Sequence, residues 1–307
     1  MDPLVIVFGL GVGVLIGLTG IGGGSLMTPL LLLFVGTPPV TAIGTDLAYG
    51  AVTKTFGGWH HIKHKTVDFG LTWWMAAGSA PASLVGVWTV QQLHNSYGES
   101  FDDTLLLWVA IALLITSVAT LGRALFMPKA VAAEQDTVEM TRVRKAQAVI
   151  IGAVLGFVLG LTSVGSGALI GLALILVFQL TPHRVVGTDV FHAAILLWVA
   201  GLANWFAGNV DVALMLNILV GSLPGVWIGT HLVTRVPARA LRPTLGCVLM
   251  AAGIGVLSKS GVTIGPAVIL GVPTVVGVAI WLFERVRIRR APIAVAPARP
   301  VAMDAER

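Results

Sequence analysis

The chain alternates long apolar runs with short polar stretches. The runs cover 3–19, 25–36, 40–58, 67–90, 104–122, 146–161, 168–180, 184–202, 211–233, 241–257 and 262–283. A helix needs about 20 apolar residues to cross a bilayer. Most of these runs approach or exceed that length and predict spanning helices. Two pairs do not: 3–19 with 25–36, and 146–161 with 168–180, are made of short members separated by a glycine cluster. Each pair reads either as one long kinked helix or as a hairpin dipping into the membrane. The glycines between Gly20 and Gly24 favour a real break, because glycine costs helix stability and opens unusual backbone angles.

Composition removes the soluble alternatives. Hydrophobic residues make up 56% and charged residues only 11%, with a mean hydropathy of +0.92. A soluble domain carries about 25% charged residues. Nineteen Lys and Arg with fourteen Asp and Glu cannot cover a 32.0 kDa globule facing water on all sides. The chain reads as an integral membrane protein, and a soluble enzyme is excluded. A pI of about 9.8 would suggest nucleic acid in a soluble chain. In a membrane protein, basic residues at cytoplasmic loops set orientation instead, so no nucleic-acid partner is expected. The single cysteine, Cys247, lies in an apolar run and cannot form an internal disulfide. No basic region precedes the first apolar run, so no cleaved signal peptide is expected.

Charge placement then orients the runs. Lys63 and Lys65 lie in 59–66; Arg123, Lys129, Arg142, Arg144 and Lys145 in 123–145; Arg235 and Arg239 in 234–240; and several arginines follow Glu284. These segments are expected in the cytoplasm. Segments 91–103 and 203–210 have no Lys or Arg and are expected outside. All these assignments hold together only if 3–36 and 146–180 each leave and return on one side, the first from outside and the second from the cytoplasm. The organisation predicted is a first membrane repeat over 1–122, a cytoplasmic linker over 123–145, a second membrane repeat with an extra C-terminal span over 146–283, and a basic cytoplasmic tail over 284–307.

The word repeat rests on a gapless match at an offset of 143. Gly9, Gly13 and Gly17 fall on Gly152, Gly156 and Gly160; LTGIGGGSL falls on LTSVGSGAL; GTD at 44–46 falls on GTD at 187–189; Val67-Asp68 falls on Val210-Asp211. Between 9–86 and 152–229 there are 23 identities in 78 positions, where chance in so biased a composition gives roughly a tenth. The basic 59–66 falls on the uncharged 203–209, so equivalent loops carry opposite orientation signals. The fold class expected is therefore all-α, a polytopic membrane protein of two inverted-topology repeats, each a glycine-interrupted helix pair followed by full spans. Secondary transporters are commonly built this way, with the substrate near the midplane where interrupted helices meet.

The two breaks, Gly20–Ser25 and Ser163–Ala168, are the first candidate sites. Irregular backbone inside a membrane survives only where protein or a polar cavity covers it. A half-helix beginning there would aim free N–H groups and a positive dipole at an anion. Gly22, Gly23, Gly24, Ser25, Gly165, Ser166 and Gly167 are the candidates, while Gly9, Gly13 and Gly17, four apart, suit close helix packing. Asp46 and Asp189 of the GTD segments are acids in apolar surroundings, a functional hypothesis by default. Each could cap a helix or loop, carry a coupling proton, or bind a cation. Thr45 and Thr188 beside them could donate to anionic oxygens. Lys54, eight residues after Asp46, could balance an anion but is expected to snorkel to the cytoplasmic interface. His192 could share a proton with Asp189. Asp68 and Asp211 each open a helix and suit caps. His60 and His64 have metal-like spacing, but no Cys or acid completes a set, so no metal site and no cofactor are called for. Most tryptophans fall near predicted span ends, as in an aromatic belt. No GxxxxGK[ST], GxSxG or HExxH occurs, so neither an ATP-driven pump nor a familiar hydrolase is indicated.

These residues carry a resemblance. LTGIGGGSLMTPLLLL, AIGTDLA, the second copies LTSVGSGALIG and VVGTDV, and the segments around Gly78 and Gly221 resemble the TauE/SafE family, the sulfite exporter and toluene-sulfonate uptake permeases. The likeness covers about residues 4–283. It implies transport of a small sulfur-containing anion, such as sulfite or a sulfonate, across the cytoplasmic membrane of a bacterium. It also implies site positions at Gly22, Gly23, Gly24, Gly165, Gly167, Thr45, Asp46, Thr188 and Asp189. The second copy departs from the triple glycine at Ser166. The expected activity is a secondary transporter, with a passive anion channel as the alternative and an intramembrane enzyme or accessory subunit as a remoter one. The expected partners are a small inorganic or organic anion and the lipid bilayer, with self-association left open.

Overall fold

A computed structural model describes residues 3–19, 24–126, 135–232 and 238–290. Among them the order is α1 Pro3–Thr19, α2 Gly24–Leu30 running on as a π turn Leu31–Val35, α3 Pro39–Lys63, α4 Phe69–Tyr97, α5 Asp102–Phe126, α6 Arg142–Thr162, α7 Ala168–Leu176, α8 Pro182–Phe206, α9 Val212–Leu232, α10 Ala238–Lys259 and α11 Pro266–Arg290. No strand occurs among the described residues; only an isolated bridge joins Gln135 to Leu180. Among the described residues five stretches are long and apolar enough to cross a membrane, and α1, α2 with its π turn, and the end of α10 add shorter apolar helices. The protein is an all-α polytopic membrane protein.

The start signals are local and occur in pairs. Pro39 and Pro182 open α3 and α8, where a missing N–H costs nothing. Asp68 caps α4 by accepting the Leu71 N–H at 3.0 Å, and Asp211 accepts the Leu214 N–H at 2.9 Å at the start of α9. Two polar stretches expected as loops are largely helical. WHHIK ends α3 as its last turn, and QQLHNSY extends α4 to Tyr97, where Gly98 terminates it with φ 57°. Neither stretch holds a proline or an internal glycine, so polarity alone gave the helix no reason to stop.

The repeats exchange contacts. α1 packs on α9, and its equivalent α6 packs on α4, the equivalent of α9; α3 packs on its own equivalent α8. The register is reciprocal to the residue. Gly9 lies against Ile218 and Gly152 against Met75; Gly13 lies against Ser222 and Gly156 against Ser79; Gly221 lies against Ile6 and Gly78 against Val149. A Cβ at Gly13 or Gly156 would collide with the facing backbone. These glycines let two helix axes approach closely, the packing role expected for them.

Apolar side chains cover the outside. On α11 Leu270, Val275 and Val278 are exposed, as are Trp59, Trp73, Trp88, Trp227 and Trp281 elsewhere. Trp108 differs: it is partly buried and meets Phe101 edge-on at 5.6 Å. Of the buried polar side chains, Thr45, Asp46 and Lys54 lie on α3 and Thr188, Asp189, His192 and Asn204 on α8, the two helices that cross.

Candidate functional site

α3 and α8 run antiparallel, with Gly50 against Leu197, Gly57 against Val190 and Gly201 against Ala48. These pairs centre on residues 52–53 of α3 facing 195–196 of α8, which are repeat equivalents. Helical rise then puts Asp46 and Asp189 about 10 Å along the axis on opposite sides of that centre, with Lys54 within about 2 Å of it. Asp46 and His192 are completely buried, and Asp189 and Lys54 are only 5% exposed.

Each acid holds a helix interruption. Asp46 Oδ2 accepts the Thr28 hydroxyl of α2 at 2.5 Å and the Ser163 hydroxyl at 2.9 Å. Ser163 is the left-handed residue that ends α6, so one carboxylate oxygen ties α2 of the first repeat to the break of the second. In that break Gly165 has φ 119°, and Gly167, at φ 102°, precedes α7 without a side-chain cap. Only glycine adopts such angles without strain. The Gly167 N–H faces the Asp189 carboxylate. Of the first break, Gly22 and Gly23 lie outside the described residues; Gly24 is the first residue of α2. The second interruption and α2 are thus brought together.

Several polar atoms in this cluster have no hydrogen-bond partner: Ser25 Oγ, Ser166 Oγ, Asp46 Oδ1, Asp189 Oδ1 and Lys54 Nζ. An unsatisfied buried polar group costs about 1–3 kcal/mol, and more when charged. Packing alone does not explain so many.

Other candidates find firm partners. Thr45 Oγ1 accepts the Asp211 N–H at 3.0 Å, and Thr188 Oγ1 accepts the Asp68 N–H at 2.9 Å. Each threonine thereby joins its repeat to the start of α9 or α4 in the other, and any bond to an anion would have to use the remaining hydroxyl proton. His192 pairs with Ser79 Oγ at 2.9 Å through Nε2, where sharing with Asp189 had been one expectation. Lys54 does not snorkel. Its backbone position in the middle of a tightly packed helix pair keeps the ammonium inside, within electrostatic reach of Asp189, Asp46 and His192.

Sequence reasoning missed Thr28 and Arg123. Arg123 was assigned to a cytoplasmic loop, but it lies in α5, its guanidinium beside Gly171 of α7, and its charge acts on Asp189. No spacing marks either residue. A threonine in an apolar helix is usually satisfied by its own backbone, and an arginine at a span end is usually an orientation signal.

The sulfite exporter TauE/SafE family model matches residues 5–256. The chain is 35% identical over 254 residues to the probable membrane transporter protein YjnA of Bacillus subtilis (strain 168), covering 83% of this chain and 99% of that protein. It is 30% identical over 247 residues to the probable membrane transporter protein YunE of the same organism, covering 75% and 86%. A probable membrane transporter protein of Xylella fastidiosa (strain 9a5c) is 31% identical over 268 residues, covering 85% and 97%. No solved structure matches the chain.

Proposed function

Because the chain belongs to the sulfite exporter TauE/SafE family and is a multi-pass membrane transporter, not an enzyme, we propose that it is a secondary transporter of a small sulfur-containing anion such as sulfite or a sulfonate. The observation that carries this reading is the buried cluster around the α3–α8 crossing. Polar atoms from both repeats converge there without partners, beside a helix interruption. The anion is held by backbone N–H groups at Gly165 and Ser166, where α7 begins, and by the hydroxyls of Ser25 and Ser166, with Gly167 forming the turn beside them. Gly22, Gly23 and Gly24 serve as the counterpart in the first repeat. The positive end of α7 attracts negative charge without a formal cation.

Asp46 and Asp189 hold the interruptions in place and carry a coupling proton. Two buried acids near an anion repel it unless one is protonated or hydrogen-bonded. Thr45 and Thr188 act beside the site as joints between the halves, with their hydroxyl protons available to an anionic oxygen. The antiparallel pairing of α3 with its own equivalent α8 supports inverted halves, and alternating access then comes from rocking one half against the other. The C-terminus faces the cytoplasm. In support, Lys63 lies over Trp59 at 3.6 Å, Lys145 over Trp74 at 4.8 Å and Arg285 over Trp281 at 4.0 Å. All three pairs belong to helix ends whose basic residues orient them inward, and such pairs suit an interfacial belt. The membrane is the bacterial cytoplasmic membrane.

The test is flux of sulfite and of methanesulfonate in proteoliposomes, with and without a proton gradient. Asp46→Asn and Asp189→Asn should each lower flux at least about tenfold, the scale of losing a group that acts in the cycle. Absence of flux in the unaltered protein, or flux untouched by both substitutions, removes the mechanism. A passive channel would instead give current reversing at the Nernst potential of the anion with no proton dependence. The burial of every described side chain in the cluster favours a carrier caught closed.

A further inference from the structure

Among the described residues Lys54 is the one buried lysine or arginine. An ammonium of this kind is normally held by a carboxylate or by carbonyls, because taking it out of water without a partner costs several kcal/mol. Lys54 Nζ has no hydrogen-bond partner at all, although it lies within electrostatic reach of two carboxylates. Its place explains this. It sits near the centre of the α3–α8 crossing, while Asp46 and Asp189 lie about 10 Å along the axis to either side. Its equivalent in the second repeat is Leu197. One cation therefore serves a centre that the duplication otherwise made symmetric.

Resting on the transporter reading above, we propose that Lys54 is the substrate's counter-ion, its ammonium reaching from the α3–α8 crossing to the head group of a monovalent oxyanion such as a sulfonate held at the start of α7. Charge balance selects the monoanion. With the coupling proton on one of them, Asp46 and Asp189 carry one negative charge, and Lys54 with Arg123, whose charge acts on Asp189, carries two positive ones. A monoanion closes that balance, whereas a dianion such as sulfate leaves an uncompensated charge in a buried site.

The experiment measures binding of methanesulfonate, sulfite and sulfate to the purified full-length protein in detergent, by calorimetry and thermal shift. The unaltered protein should bind methanesulfonate at least about tenfold more tightly than sulfate, and Lys54→Met should weaken methanesulfonate about thirtyfold or more, as expected for losing one partner of a buried charge pair. Lys54→Arg should keep most of the binding. Asp189→Asn, which removes a negative charge, should bind methanesulfonate at least as tightly as the unaltered protein even where its flux is lost. A lysine that merely packs would not move binding in opposite directions in these variants. If Lys54→Met does not fold, Lys54→Met with Asp189→Asn removes one charge of each sign and should lose binding in the same way. Binding retained within threefold in either lysine-to-methionine protein overturns the inference and leaves the transporter reading intact. If the unaltered protein binds neither methanesulfonate nor sulfite, the transporter reading falls and this inference falls with it.

Discussion

Asp46 and Asp189 occupy equivalent positions in identical GTD segments, yet they keep different company. Asp46 takes two hydroxyls, from Thr28 and Ser163, on one oxygen. Asp189 faces the N–H of Gly167 and lies in the field of Lys54 and Arg123. The difference is written in residues that the duplication did not keep. Thr28 corresponds to Gly171, Ser163 to Gly20, and Lys54 to Leu197. The surroundings, by contrast, are the same in both repeats. Thr45 and Thr188 make matching bonds across the repeat boundary, and Gly13 and Gly156 meet matching serines. The lesson is a division of labour: the frame is two-fold and fixed by shape, while the centre is one-sided and set by charge.

Three measurements break or sharpen that contrast. The largest effect belongs to the frame. Gly13→Val and Gly156→Val each drive a side chain into facing backbone, at Ser222 and Ser79. Each should cost about 3 kcal/mol or more and abolish recovery of a monodisperse protein. Size exclusion in detergent reads this, and one tolerated substitution would show that the two seams are not equivalent. A middle-sized effect separates the two caps. Asp68 also accepts the Val138 N–H at 2.9 Å through its other oxygen, tying the linker to α4. Asp68→Ala should cost about 2 kcal/mol and Asp211→Ala about 1 kcal/mol. Thermal unfolding gives the difference, and hydrogen exchange at Val138 should rise only in the former. Equal losses would place the linker outside the cap's reach. The smallest effect is the joint: Thr45→Val and Thr188→Val should each cost about 1 kcal/mol, equal within error. A clear inequality in unfolding temperature would mean that the frame itself is not two-fold.

Much of this was legible in the residues because it depends on local chemistry. Proline before each GTD helix, Asp68 and Asp211 as caps, and glycines at four-residue spacing each state a backbone requirement that neighbours in sequence satisfy or frame. Segments 59–66 and 91–103 misled because polarity reports solvent and does not by itself end a helix: α3 runs on to Lys63, and α4 to Tyr97, where Gly98 stops it. Lys54 misled for the opposite reason. Its sequence neighbours allow a snorkelling stem, and only the helix packed against it closes the way out.

The hydrophobic pattern by itself determined that this chain lives in a bilayer, because a membrane imposes length and polarity on every span, and the matched glycine, proline and GTD positions marked the repeat and the break after α6. Tertiary structure alone decided which polar groups go unpaired. Ser163 reaches Asp46 across 117 positions of chain, and Arg123 reaches Asp189 from another helix. Burial and long-range partnering are properties of the packed pair of repeats, and no window of sequence contains both sides of them.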